Sequence, residues 1–138
     1  MSTPLPDRFV EIMRERLGDD AERLFAALDT EPAVSLRLNP MKPAESFEGE
    51  SVGWCKWGRY LAERPQFTLD PLLHGGAYYV QEASSMFLYY ILGKIMSPHE
   101  PIRVLDLCAA PGGKSTLVAS ELPHGSLLVA NEVIKSRA

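Results

Sequence analysis

Two short segments near the start of the chain carry apolar residues at spacings of three and four, the period of an amphipathic helix. The first is preceded by Pro6, which suits a first helical turn, and followed by Gly18, which suits a helix end. Asp19 or Asp20 is placed to cap the second, which must end before Pro32. The apolar positions are Phe9, Ile12, Met13 and Leu17 in the first segment and Leu24, Phe25 and Leu28 in the second. The pattern predicts a helical hairpin.

Residues 33–39 alternate apolar and polar side chains, which is the period of a β-strand with one face in water. The apolar face consists of Val34, Leu36 and Leu38, and the polar face consists of Ser35, Arg37 and Asn39. Two interpretations of the polar face stay open. Either it contacts RNA, or it is solvated and contacts nothing.

The middle of the chain has a less regular pattern. Residues 40–50 are polar and rich in Pro, Gly and Glu, which predicts a surface loop, and short strands are predicted for 52–57 and 59–61. Apolar and helix-forming residues over 81–95 predict a helix, which the SPHEP sequence then ends. We place a domain boundary at this break, near residue 97.

The C-terminal part follows the order strand, turn, helix, strand. A short apolar strand begins at Arg103, a glycine-containing turn follows, the segment after Lys114 suits a helix, and 127–130 is a second apolar strand. This order is typical of a parallel sheet that binds a nucleotide. The sequence therefore predicts an α/β protein, with a small N-terminal module over 1–97 and the first half of a doubly wound Rossmann-like sheet over 98–138.

Composition places the chain among soluble proteins. A length of 138 residues with 46% hydrophobic content permits a real core. No apolar stretch approaches the roughly 20 residues that cross a bilayer. The first residues also lack the basic, apolar and small-residue pattern of a secretory leader. We expect a cytoplasmic protein.

The spacing of cysteine and histidine residues indicates neither a disulfide framework nor a metal site. Cys55 and Cys108 lie in unrelated contexts, and His74, His99 and His124 are far apart without ligand partners at a regular spacing. We expect two free thiols and no metal.

Charge and aromatic residues bear on nucleic-acid binding. The net charge of −4 argues against an extended phosphate clamp, which needs clustered Lys and Arg. Residues 1–50 hold 6 basic and 11 acidic side chains, whereas 51–138 hold 8 and 7, so an RNA-facing surface is expected mainly in the second part. Six aromatic residues could stack on unpaired bases, although core packing is the favoured interpretation. They are Trp54, Trp57, Tyr60, Phe67, Tyr78 and Tyr79.

The turn in the C-terminal part has the chemistry of a nucleotide-binding loop. Gly112 and Gly113 let the backbone approach a ligand closely, and the N–H groups that begin the following helix attract an anionic group. Glu132 lies 19 residues after Gly113, where an acidic residue can accept hydrogen bonds from ribose hydroxyls.

Other kinds of loop fit the sequence less well. Gly113, Lys114 and Ser115 match the end of a P-loop, but position 108 is Cys where that signature needs its first glycine. The CAAPGG sequence also cannot supply the G-x-G-x-x-G pattern of a dinucleotide site. A strand-turn-helix with no ligand stays open as a further interpretation.

Three segments in order, SLRLNP, YYVQEASSM and LDLCAAPGGKS, resemble the Sun family of RNA 5-methylcytosine methyltransferases over roughly residues 33–138. The resemblance implies that the cofactor is S-adenosylmethionine, that RNA is the substrate, and that the N-terminal module helps to seat it. The leading hypothesis is that this RNA is ribosomal. It also implies a set of cofactor-binding residues. They are Cys108, Ala109, Ala110, Pro111, Gly112, Gly113 and Lys114 of the loop, together with Glu132 for the ribose.

The family's two catalytic cysteines, in a Pro-Cys and a Thr-Cys motif, have no counterpart in this sequence. In the family a thiolate adds to carbon-6 of cytosine and so makes carbon-5 nucleophilic. We therefore expect a fragment with no catalytic residue of its own, which does not methylate RNA alone. Its uncovered sheet edge should either cause self-association or leave that part of the chain loosely ordered. The alternative hypothesis is a non-catalytic module that binds RNA or a protein partner. Methyl transfer to protein or to a small molecule is disfavoured by the resemblance alone.

Overall fold

The computed structural model describes residues 4–42 and 47–137, and the chain divides into two compact units between Pro32 and Ala33. The first unit is a pair of helices, α1 (Asp7–Leu17) and α2 (Asp20–Leu28). Part of the predicted loop over 40–50 lies outside the described residues.

The predicted helical hairpin is confirmed. The Phe9 and Phe25 rings meet edge to face with centroids 6.3 Å apart, and Ala21 is completely buried. Gly18 ends α1 with a φ of 55°, a conformation that favours glycine. The predicted cap on α2 by Asp19 or Asp20 is wrong. Asp19 has helical dihedrals and its side chain makes no capping hydrogen bond, and Asp20 is already the first residue of the helix.

The second unit starts with an antiparallel sheet of four strands in the order β2-β3-β1-β4. Leu36 of β1 is fully buried and packs with Phe67 and Tyr78 in one core cluster. The strands are β1 (Val34–Leu38), β2 (Glu50–Ser51), β3 (Gly58–Leu61) and β4 (Tyr78–Val80). The predicted strand over 59–61 is confirmed, but the one predicted over 52–57 is a turn, in which Val52 and Cys55 are buried through their side chains.

Short helical segments connect this sheet to the rest of the unit. A 3₁₀ turn (Phe67–Leu69) and the one-turn helix α3 (Pro71–His74) precede β4, and sequence reasoning missed both. The helix predicted over 81–95 is shorter than expected, because residues Ala83–Met86 form a 3₁₀ turn and α4 covers Phe87–Ile95. It ends before the SPHEP break, as predicted.

The C-terminal part is a parallel two-stranded sheet with a crossover helix. Strands β5 (Arg103–Asp106) and β6 (Leu127–Ala130) pair in parallel, and α5 (Gly113–Glu121) connects them. One face of this sheet packs on the cluster formed by Leu92 of α4 with Leu117 and Val118 of α5. The mixed α/β class and the beginning of a parallel sheet are as predicted.

Neither interpretation of the polar face of β1 is correct for Ser35 and Arg37. Ser35 and Arg37 are only 4% and 3% exposed, so they are neither solvated nor available to RNA. Ser35 Oγ donates to the carbonyl of Gln81 at 2.7 Å, and Arg37 reaches the start of α5. The apolar and polar residues do alternate along the strand, but other parts of the protein pack against both of its faces.

Residues on both sides of position 97 belong to the same compact unit, which runs from Ala33 onwards. The domain boundary near residue 97 stays a prediction. Across 4–42 and 47–137 there is no helix of the length and apolar character needed to cross a membrane.

Two glycines provide a matched test of this packing. An alanine Cβ at Gly58 would lie 2.7 Å from Val52 Cβ and 2.8 Å from Met86 Sδ, whereas one at Gly93 in α4 would meet nothing within 4 Å. We expect Gly58→Ala to lower the free energy of unfolding by about 1–3 kcal/mol through overpacking. Gly93→Ala should raise it by about 0.5–1 kcal/mol through helix propensity. Urea denaturation of both variants measures this, and shifts of the same sign would contradict the packing described.

Candidate functional site

The loop between β5 and α5 is anchored by Asp106 at the carboxyl end of β5. One carboxylate oxygen, Oδ1, accepts the N–H of Cys108 at 3.1 Å, and the other accepts the hydroxyl of Ser115 at 2.6 Å. Ser115 Oγ also lies 3.3 Å from the carbonyl of Ala109. A single side chain therefore joins the beginning of the loop to the first turn of α5.

Gly112 makes the turn into α5. It adopts a φ of 100°, where a side chain would be strained, and its N–H donates to the carbonyl of Ala109 at 2.7 Å. Among the residues that the structure describes, the N–H groups of Gly113, Lys114 and Ser115 have no hydrogen-bond acceptor. These donors and the positive end of the helix dipole favour an anionic group at this position.

The end of β6 supports the loop from the other side. The N–H of Ala109 donates to the carbonyl of Asn131 at 2.9 Å, and the N–H of Asn131 donates to the carbonyl of Asp106 at 2.8 Å. The amide of Asn131 also donates to the carbonyl of Leu107 at 3.2 Å. The parallel pairing of β5 and β6 thus continues into the loop. As a result, the residue after Asn131 lies beside the loop.

Glu132 is that residue, and its carboxylate faces the loop. Its Oε1 accepts the N–H of Ile134 at 2.8 Å and its Oε2 accepts the N–H of Ala110 at 3.1 Å. These backbone donors, Ile134 first, hold the pKa of the Glu132 carboxyl below its usual value. The carboxylate is therefore charged at neutral pH, and each oxygen keeps a further lone pair for another donor.

Part of the loop and Glu132 line the same cleft, which has a volume of about 340 Å³. Its lining residues are Ala109, Ala110, Pro111, Gly112, Ser115, Ala130, Glu132 and Arg137. Cys108, Gly113 and Lys114 instead line a second cleft of about 240 Å³, between the loop and residues 79–85. The predicted site residues are therefore all in or beside the loop, but they are divided between two clefts.

The other candidates from the sequence are the two cysteines and the six aromatic residues, most of which pack in the core. Cys55 is 1% exposed in a core cluster with Val52 and Met86, and burial raises the pKa of its thiol. Cys108 is exposed in the loop, and both cysteines are free thiols. Most of the six aromatic residues pack in the core as expected, although Trp54 is 36% exposed.

The chain matches the family described as the N-terminal domain of 16S rRNA methyltransferase RsmF over residues 5–83. Residues 93–138 match a second family, 16S rRNA methyltransferase RsmB/F. The chain belongs to this methyltransferase family. The resemblance to Sun-family enzymes inferred from SLRLNP, YYVQEASSM and CAAPGGK is thereby confirmed.

Curated relatives carry the same family name. The ribosomal RNA small subunit methyltransferase F of Cronobacter sakazakii is 31% identical over 99% of this chain, and that of an Enterobacter species is 32% identical over 96%. The chain spans 31% and 30% of the length of these two relatives. The crystal structure of a methyltransferase homolog protein from Pyrococcus horikoshii has a TM-score of 0.77 and 27% identity, covering 96% of this chain and 46% of that one.

Sequence reasoning missed several residues that shape this methyltransferase-family loop. The Asp106 turn had a signal, since an Asp at the end of a strand commonly accepts the N–H two residues on. No local sequence signal could have identified Arg37, Tyr79 or Gln81, because their contacts with the loop join segments that are far apart in sequence.

The bond between Ser115 and Asp106 can be tested by paired substitutions in α5. Ser115→Ala removes a buried hydrogen bond to a carboxylate, so we expect the free energy of unfolding to fall by about 2 kcal/mol. Ser120→Ala removes only a bond to the carbonyl of Leu117 within the same helix, and it should change stability by less than about 0.5 kcal/mol. Urea denaturation at low protein concentration measures both, and equal losses would show that Asp106 does not anchor the loop.

Proposed function

We propose that the protein is part of an S-adenosylmethionine-dependent methyltransferase that modifies carbon-5 of cytosine in ribosomal RNA. Family membership and the names of the relatives support the reaction class and the RNA substrate. The observation that carries the cofactor assignment is the loop itself, which ends at the free N–H groups of α5 and contacts the Glu132 carboxylate at Ala110. We place this activity in the cytoplasm.

The residues of the loop fit the two ends of this cofactor. The N–H groups of Gly113 and Lys114 would bind its methionyl carboxylate, and Glu132 would accept from the ribose hydroxyls. Gly112 leaves the backbone open, since a Cβ there would meet nothing within 4 Å. When bound, S-adenosylmethionine supplies an electrophilic methyl group. Cys108, Ala109, Ala110 and Pro111 complete the loop in this proposal.

The two cysteines of the chain have no catalytic role in this proposal. Cys55 is buried in the core, and Cys108 belongs to the cofactor loop. We assign residues 1–97 to a module that helps to seat RNA and 98–138 to the start of the methyltransferase domain. The buried face of β1 is not part of the RNA surface, which leaves the exposed faces of this module for that role.

A calorimetric titration with S-adenosylmethionine tests the cofactor assignment. We expect the chain to bind it, and Glu132→Gln to weaken binding about tenfold or more, because the substitution removes a charged acceptor for the ribose. Glu100→Gln is the matched control. It changes an exposed carboxylate before β5, at the opposite end of that strand from the loop, and should leave affinity unchanged.

Three results would count against this assignment. Absence of binding by the unaltered chain would contradict the cofactor site, and equal affinities for both glutamine variants would remove Glu132 from it. RNA binding by a chain that does not bind S-adenosylmethionine would favour the non-catalytic binding module instead.

We also propose that the chain self-associates through the β5–β6 sheet. The face of this sheet turned away from α4 and α5 is apolar and open, with Leu105 59% exposed, Leu127 54% and Val129 48%. Within 4–42 and 47–137 neither strand has a second neighbour, so both edges also offer unpaired backbone groups.

Sedimentation velocity over a concentration series tests this association. We expect the average mass to rise with concentration, and Leu105→Lys to reduce the rise because a charge on the open face opposes burial. Leu69→Lys alters a leucine that is 75% exposed outside this sheet and should have no effect. A monodisperse monomer whose amides exchange slowly throughout residues 103–131 would contradict the proposal.

A further inference from the structure

The Arg37 guanidinium is a buried charge whose hydrogen-bond partners are all neutral. The residue is 3% exposed, and among the described residues no carboxylate oxygen lies within 4.0 Å of its guanidinium. Burial lowers the pKa of Arg37 from its ordinary value. Burial of a cation without an ion pair is costly to folding unless hydrogen bonds offset the cost, so the acceptors of this guanidinium indicate what it does.

The guanidinium joins β1 to the first turn of α5. Its Nε donates to Gln81 Oε1 at 2.8 Å, while its Nη2 donates to the carbonyl of Gly113 at 3.2 Å and to Thr116 Oγ1 at 2.7 Å. Gln81 Nε2 also lies 3.4 Å from the carbonyl of Gly113. The first carbonyl of α5 thus receives donors from two residues of the N-terminal part of the unit.

Thr116 connects Arg37 to the turn of the loop at Gly112. Its hydroxyl accepts from Arg37 and donates to the carbonyl of Gly112 at 2.8 Å, and its N–H donates to the same carbonyl at 2.8 Å. Gly112 is the residue whose left-handed conformation aims the free N–H groups of α5. The position of those donors therefore depends on Arg37 through two hydrogen bonds.

Tyr79, the partner of Arg37 across the sheet, holds the other side of the loop. The two residues are paired in the register of β1 and β4. The Tyr79 hydroxyl donates to the carbonyl of Pro111 at 3.0 Å, and a Cβ built on Gly113 would lie 3.2 Å from the Tyr79 ring. One cross-strand pair thus contacts the residues immediately before and after Gly112.

We propose that Arg37 is a positioning residue for the cofactor loop. It fixes the first turn of α5 through Gln81, Gly113 and Thr116, so that the N–H groups of this turn converge on the cofactor carboxylate. This inference rests on the proposed cofactor site. It assigns the polar face of β1 to the cofactor loop.

Two measurements on the whole chain test the role of Arg37. The first is the dissociation constant for S-adenosylmethionine by calorimetry, and the second is amide hydrogen exchange of residues 109–117 in the free chain. We expect Arg37→Met and Thr116→Val to weaken binding on the order of tenfold or more, as removal of supporting hydrogen bonds does around bound metals. Exchange should become faster at 109–117 and stay unchanged in β1 and β3.

Arg59→Met is the matched control. Arg59 lies opposite Leu36 on β3, and its guanidinium donates only to the nearby carbonyls of Lys56 and Gly58, so cofactor affinity should be retained. Arg37→Lys keeps the charge without the planar fork that reaches three acceptors, and it should restore only part of the affinity. If Arg37→Met does not fold, Thr116→Val and Arg37→Lys make the same test with the cation in place.

The outcomes separate the two proposals. If the unaltered chain does not bind S-adenosylmethionine, the proposed cofactor site fails, and the exchange rates still decide whether Arg37 orders the loop. If the unaltered chain binds and the Arg37 and Thr116 variants bind equally well, the positioning role is overturned. Faster exchange throughout the unit without a selective change at 109–117 would also overturn it, because that result indicates a general loss of stability.

Discussion

The burial of the polar face of β1 against the start of α5 is the contact on which the rest of the second unit depends. A strand that hydrogen-bonds to neighbours on both edges can still contact two layers through its faces, and here the second layer is the helix that follows the candidate loop. This contact, together with the packing of α4 on α5, joins the two separate sheets of the second unit. It also means that the loop geometry is determined in part by Arg37, which lies 76 positions before Gly113 in the chain.

The site is organised by hydrogen bonds to single charges more than by ion pairs. Asp106 and Glu132 accept backbone N–H groups at the two sides of the loop, and Arg37 donates to a carbonyl and to neutral side chains. In the described part of the chain, the ion pairs within 4.0 Å all lie on the exposed surface of the helical hairpin, where such pairs contribute little to stability. In the described part of the candidate site, charge therefore serves mainly to hold the loop in place.

Local sequence patterns were sufficient to predict those segments whose contacts are with residues nearby in the chain. The helical hairpin, β6, the helix after the glycine pair and the break after α4 all followed from periodicity and from residues that begin or end helices. The strand predicted over 52–57 failed because Val52 and Cys55 are buried by a turn. Apolar residues in a turn and in a strand look alike when the packing partner, here Met86, is distant in sequence.

The amino-acid sequence by itself determined the family and the identity of the candidate loop, because CAAPGGK and the spacing to Glu132 are contiguous, chemically specific signals. It also determined that the parallel sheet begins at Arg103, since β5 and β6 are short apolar strands with a glycine turn between them. Only the tertiary structure decided what the polar residues of β1 do. Alternation records that one face is polar, but whether water, RNA or a buried carbonyl lies opposite it depends on which distant segment packs there.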